Sequence, residues 1–165
     1  MMAQCGKPNA QVLVLTNPKV QGYEHARQKL PEILDRYRHF DLCLFLVDSD
    51  GKDKSPGFQT LEAAGASSGI RLLCAAAVHE VEVWLLAGHS EKLGKPWRSV
   101  RADTSVKENV FAPFLAKAGD ARRYGGGRDL LMKEALNRYD RILQLCPELQ
   151  ELQDRVIAHL ASVAQ

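Results

Sequence analysis

One stretch constrains the fold more than any other: Leu42, Cys43, Leu44, Phe45, Leu46 and Val47, followed at once by Asp48, Ser49, Asp50 and Gly51. An apolar run of strand length with no alternation suits a strand buried on both faces, as in a parallel sheet covered by helices. In such sheets ligands gather beyond the carboxyl ends of the strands. Asp48 and Asp50 fall at that edge, and residues two apart in a strand face the same side. Two carboxylates held close repel each other unless a proton or a cation comes between them. Oxygen-only donors of this kind suit Mg²⁺ or Mn²⁺. Asp, Ser and Gly also turn a chain or cap the next helix, so a structural reading stands beside the metal one. A calcium loop does not fit. Lys52, Asp53 and Gln59 stand where it needs an acid or Asn, then Gly, then Glu.

Around this stretch, strands and helices alternate. Residues 11–16 and 70–78 read as two further strands, and 23–38, 58–66 and 80–87 as helices. Pro31 either kinks the first helix or starts a new segment. This order predicts an α/β fold, a parallel sheet with helices on both faces. Three strands are few for such a sheet. Beyond residue 88 the strand pattern stops. A helix is expected over 105–117, where Ser105 to Glu108 has capping-box spacing. Strong helical patterns cover 129–145 and 147–163. The expected organisation is one domain over 1–165, with an α/β core at 11–88 and a helical C-terminal layer at 89–165.

No apolar run approaches the roughly 20 residues that span a bilayer. The first residues lack the apolar core of a signal peptide, so a cytoplasmic location with no membrane partner is the expectation. The net charge of +2 neither demands nor excludes nucleic acid. The four cysteines form no Cys-x-x-Cys pair, which argues against structural zinc. Cys43 and Cys74 read as buried thiols, and Cys5 and Cys146 as exposed ones. His25, His39, His89 and His159 read as exposed or capping residues.

A second stretch is His79-Glu80-Val81-Glu82-Val83-Trp84-Leu85-Leu86-Ala87. Together with Asp48-Ser49-Asp50 it resembles a Toprim-like (topoisomerase–primase) bacterial family. That group pairs a strand-end Asp-x-Asp with a Glu-x-Glu-x-Trp-Leu-Leu-Ala segment about thirty residues later. The resemblance extends from residue 11 to the C-terminus, where Cys146-Pro147-Glu148-Leu149 matches the helical portion. It implies a Rossmann-like sheet and Mg²⁺-dependent phosphodiester chemistry on nucleic acid, nuclease-like and linked to genome defence. It also implies that 11–16 is the family's second strand. The strand bearing the family's key Glu would then lie upstream of Met1. A sheet missing that strand would expose an edge and invite a homodimer or a partner chain.

Asp48 and Asp50 are the expected metal ligands and, with Glu82, the expected catalytic residues. On a helix Glu80 and Glu82 point about 200° apart. They converge only if Glu80 precedes the helix. Glu80 otherwise supports the helix N-terminus by its charge. Gly125-Gly126-Gly127 reads either as a linker or, before a helix, as a phosphate cradle. Lys107, Arg122, Arg123 and Arg128 flank it as a candidate basic lip for nucleic-acid phosphates. Each also reads as an ordinary solvated charge. Two functions are therefore expected side by side: Mg²⁺-dependent phosphodiester chemistry, incomplete in this chain, or a non-catalytic Toprim-fold binding or assembly module.

Overall fold

The structure, a computed structural model, describes residues 1–163. In chain order the main elements are α1 (Gly22–Arg36), β1 (Cys43–Asp48), α2 (Ser55–Ser67), β2 (Leu72–Ala77), α3 (Glu82–Gly88) and α4 (Trp97–Ala102). A π-helical turn (Lys107–Phe111) leads into α5 (Ala112–Ala118), then α6 (Arg128–Leu136), α7 (Tyr139–Leu145) and α8 (Pro147–Val163). The fold is mixed α/β with one small sheet of two strands, β1 and β2. Cys43 N–H donates to Arg71 C=O at 2.8 Å, and Ser49 N–H to Ala77 C=O at 3.0 Å. The constant offset between these pairs makes the strands parallel.

The chain divides into two compact units that alternate along the sequence. The first comprises Met1–Leu46, Lys54–Ala75 and α8 from Glu151 onward. Its core gathers Leu30 and Leu34 of α1, Leu61 of α2, and Ile70, Leu72 and Cys74. Cys43, Phe45 and Phe58 pack against them. Helix α1 runs unbroken through Pro31. Pro31 is on the exposed face, as is Arg27, whose carbonyl loses its usual N–H partner there and can turn to water. Gly65 lets α2 approach β2: a Cβ there would lie 2.8 Å from Leu72 Cβ.

In this unit the outer edge of β2 is closed by side chains. Arg71 and Ala77 accept from β1, so Cys74, three residues from each, points its N–H and C=O the other way. Its N–H donates to Glu62 Oε1 at 2.7 Å, and its C=O accepts from Arg155 at 3.1 Å. Arg155 in turn pairs with Glu62 at 2.6 Å.

The second unit comprises Val47–Asp53 and Ala76–Gln150. Val83, Leu85, Leu86 and Ala87 of α3 are buried with Val100, Val106 and Ala135. A Cβ on Gly88 would lie 2.5 Å from Ala135 Cβ, so only glycine allows α3 and α6 to pack this closely. Arg101 and Trp84 both donate to Glu148 at 3.0 Å.

Several sequence expectations are corrected. Residues 11–16 form no strand, so the sheet has two strands rather than three. Apolar residues specify a strand only when a ladder partner is present. The expected helix 129–145 is two helices. Asn137 and Arg138 N–H groups turn back to Glu134 and Ala135, tightening the last turn of α6, and Arg138 leaves helical geometry. The capping box at Ser105 does not form. Asp103 accepts from Ser105 N–H and the Asn109 amide instead. Cys146 is buried, not exposed, at the α7–α8 corner, and burial pushes its thiol up to about 12. His89 is buried too. Its Nε2 lies 2.8 Å from Leu131 O and its ring lies against Phe114.

Candidate functional site

In the second unit, at the carboxyl ends of the strands, Asp48, Glu80 and Glu82 come close enough for their charges to act together, and Asp50 lies in the loop just past β1. Asp48 ends β1, and one carboxylate oxygen accepts from Val81 N–H at 2.8 Å. Ser49 Oγ accepts from His79 N–H at 2.9 Å and from Gly51 N–H at 3.3 Å. Asp50 N–H donates to His79 C=O at 3.3 Å. The two strand-end loops are thus laced together. Asp50 and His79 both sit at positive φ, 51° and 62°. Non-glycine residues adopt that region at a cost, and such residues collect at functional sites.

Beyond β2, Glu80 precedes α3 and Glu82 is its first residue. The condition for convergence is therefore met. Lys107 Nζ lies 3.7 Å from Glu80 and 4.0 Å from Glu82. Arg128 lies 3.4 Å from Glu82, whose side chain is only 7% exposed. Both cations are half-exposed. The π-helical turn carries Lys107 at its start and Phe111 at its end, and Arg128 stacks on the Phe111 ring with 4.6 Å to the centroid. Single π turns of this kind are frequent at functional sites.

Burial pushes the Glu80 carboxyl above its ordinary range. Lys107 pulls it down, while the charges of Asp48, Glu82 and Glu108 push it further up. Glu80 is thus the carboxyl on which the surrounding like charges bear, a role that the sequence assigned only to helix support. Ser49 was also missed there. Its only sequence signal is a hydroxyl placed between two strand-end acids.

The four basic candidates separate into two pairs. Lys107 and Arg128 share Glu82. Arg122 is engaged with Asp120 at 3.0 Å, and Arg123 with Asp129 at 2.9 Å. The glycine run is neither linker nor open cradle. Gly125, Gly126 and Gly127 all take positive φ, and a Cβ at Gly127 would lie 2.6 Å from Asp120 N. Glycine is needed here for a tight turn that delivers Arg128 to Glu82.

Among the described residues no group of three or more His, Cys, Asp or Glu side chains is placed to hold a metal ion. Mg²⁺, however, is commonly met by one or two carboxylates, water and substrate phosphate rather than by an all-protein cage. Asp48 and Asp50 have that donor chemistry, with one Asp48 oxygen committed to Val81. The structure thus presents this donor chemistry and, among the described residues, no preformed cage of three ligands. No helix is long and apolar enough to cross a membrane among the described residues. No protein-family model, curated protein or solved structure matches the chain.

Proposed function

We propose that the strand-end site of the second unit is a Toprim-like site that binds the phosphodiester backbone of nucleic acid and acts on it with Mg²⁺. The observation that carries this reading is the buried Glu82 carboxylate holding two half-exposed cations, Lys107 and Arg128, beside the acids Asp48 and Glu80. Each cation is half-exposed and carries more N–H donors than Glu82 takes up, so it can reach a phosphate without leaving the buried carboxylate. Arg128 is the stronger candidate because its fork suits a phosphate and its stacking on Phe111 fixes its plane. Asp48 and Asp50 would hold Mg²⁺, which when bound neutralises phosphate charge and makes a coordinated water more acidic. Glu80, pushed up by burial, is the group best suited to exchange a proton.

A second reading, a non-catalytic binding module, is favoured by a different observation. Several of the site's charged groups already have an internal partner. Asp48 has Val81 N–H, Glu80 has Lys107 and Glu82 has Arg128. One experiment separates the readings. A labelled single-stranded oligonucleotide is titrated with the chain in Mg²⁺ and in EDTA. Binding is expected to strengthen in Mg²⁺ and to weaken about tenfold in Asp48→Asn/Asp50→Asn, or about 1.4 kcal/mol. Equal binding by native and double variant would reject the metal site. Mn²⁺-dependent cleavage lost in Asp50→Asn supports the chemistry, and Mg²⁺-dependent binding without cleavage supports the module.

A further inference from the structure

Two apolar elements of the first unit lie open, and each is what the other lacks. The first is β1. Cys43 N–H and Ser49 N–H point to β2, so Leu44 and Leu46, odd steps away, turn their N–H and C=O groups outward. Among the described residues no third strand lies on that side, and Leu46 is 42% exposed. The second is residues 11–16, Gln-Val-Leu-Val-Leu-Thr. They belong to no helix or strand, and Val12 and Val14 are 71% and 80% exposed. Apolar side chains and unpaired backbone in one segment template pairing with another strand.

We propose that residues 11–16 of one copy add to the open edge of β1 in a second copy, and reciprocally, so that the chain forms a strand-exchanged dimer. Three features select this edge and this occupant. First, strand addition at the opposite edge is blocked at Cys74, whose N–H and C=O are taken by Glu62 and Arg155. Second, the segments match. Each is six residues long, and neither 11–16 nor the run Cys43 to Val47 carries a charge. Natural sheets guard open edges with charges, prolines or bulges; residues 11–16 have none, and in β1 the only charge is the terminal Asp48. Third, the segment does not pair with its own β1 although both belong to one chain. Tyr37 OH donates to Asn17 C=O at 2.9 Å, which ties the end of the segment to the C-terminal end of α1. A second copy carries both halves of the contact, so the interface closes with two-fold symmetry. This inference is independent of the site in the second unit.

Light scattering of the full chain across a wide concentration range tests it. A monomer–dimer equilibrium is expected. Val14→Lys and Leu46→Lys should each raise the dissociation constant about tenfold or more. Both positions are exposed, so the variants are expected to keep the native helical circular dichroism. Met132→Lys replaces an exposed apolar residue on α6 and should leave the equilibrium unchanged. The amides of 12–15 should exchange more slowly as the dimer fills. A monomer at every concentration overturns the proposal. So does a dimer indifferent to Val14→Lys, or one broken equally by Met132→Lys. Slow exchange of these amides in a monomer would mean that the strand pairs within its own chain, and it too overturns the proposal.

Discussion

Glu80 is the residue at which the electrostatics of the candidate site can be read most directly. Burial raises its carboxyl, and three acids nearby add to the shift against the pull of Lys107. A carboxyl raised in the folded state binds its proton more tightly there than in the unfolded chain. Its contribution favours folding at low pH and is lost as pH rises from the ordinary carboxylate value through the raised one. Glu80→Gln removes that loss. The variant should gain melting temperature relative to native at neutral pH, with the difference shrinking toward zero as pH falls below the ordinary carboxylate range. Thermal melts of both chains across this range check the sign. A variant less stable at neutral pH would mean that the Lys107 pairing outweighs burial. The sequence marked Asp48, Asp50 and Glu82 because strand-end acids and a Glu-x-Glu segment are local patterns. It could not mark Glu80 with Lys107, because that pair spans 27 positions and depends on where α3 begins.

Among elements, the closure of β2 rests on one ion pair doing two jobs. Glu62 answers both Cys74 N–H and Arg155, and Arg155 answers Cys74 C=O. Glu62→Ala leaves a partly buried amide and a guanidinium without that partner, at about 1–3 kcal/mol. Glu62→Gln keeps an acceptor for the amide and should cost less. Urea unfolding of the three chains gives the order native, Gln, Ala. An Ala variant equal to native would mean that water serves this edge equally well. The same scale explains what the sequence could and could not predict. The helices at 147–163 and 23–38 were legible from periodicity, since their buried faces repeat locally, and the strand at 42–47 from its apolar length; its expected burial on both faces fails, because Leu44 and Leu46 are exposed where no neighbour covers them. The strand expected at 11–16 does not form, because apolar content alone does not supply a neighbour. The break at Asn137–Arg138 was hidden. Leu131, Ala135, Tyr139 and Ile142 keep helical spacing straight through it.

For the whole molecule, a net charge of +2 creates no long-range field. Nucleic-acid affinity would then come from the few cations that reach phosphate, and the salt dependence counts them. On single strands each neutralised phosphate contributes about −0.7 to the slope of log K against log salt. Lys107 and Arg128 alone give a slope of about −1.4. All four basic candidates would give about −2.8. The pairings favour the smaller number. Arg122 is engaged with Asp120 of its own loop and Arg123 with Asp129 at the start of α6, whereas Lys107 and Arg128 converge on the buried Glu82. Anisotropy titrations at several salt concentrations, at fixed Mg²⁺, measure the slope. Lys107→Ala should flatten it by about one contact, and Arg122→Ala should leave it unchanged. A slope near the larger value, reduced by Arg122→Ala, would bring the glycine-turn arginines into the interface and require their pairs with Asp120 and Asp129 to open on binding.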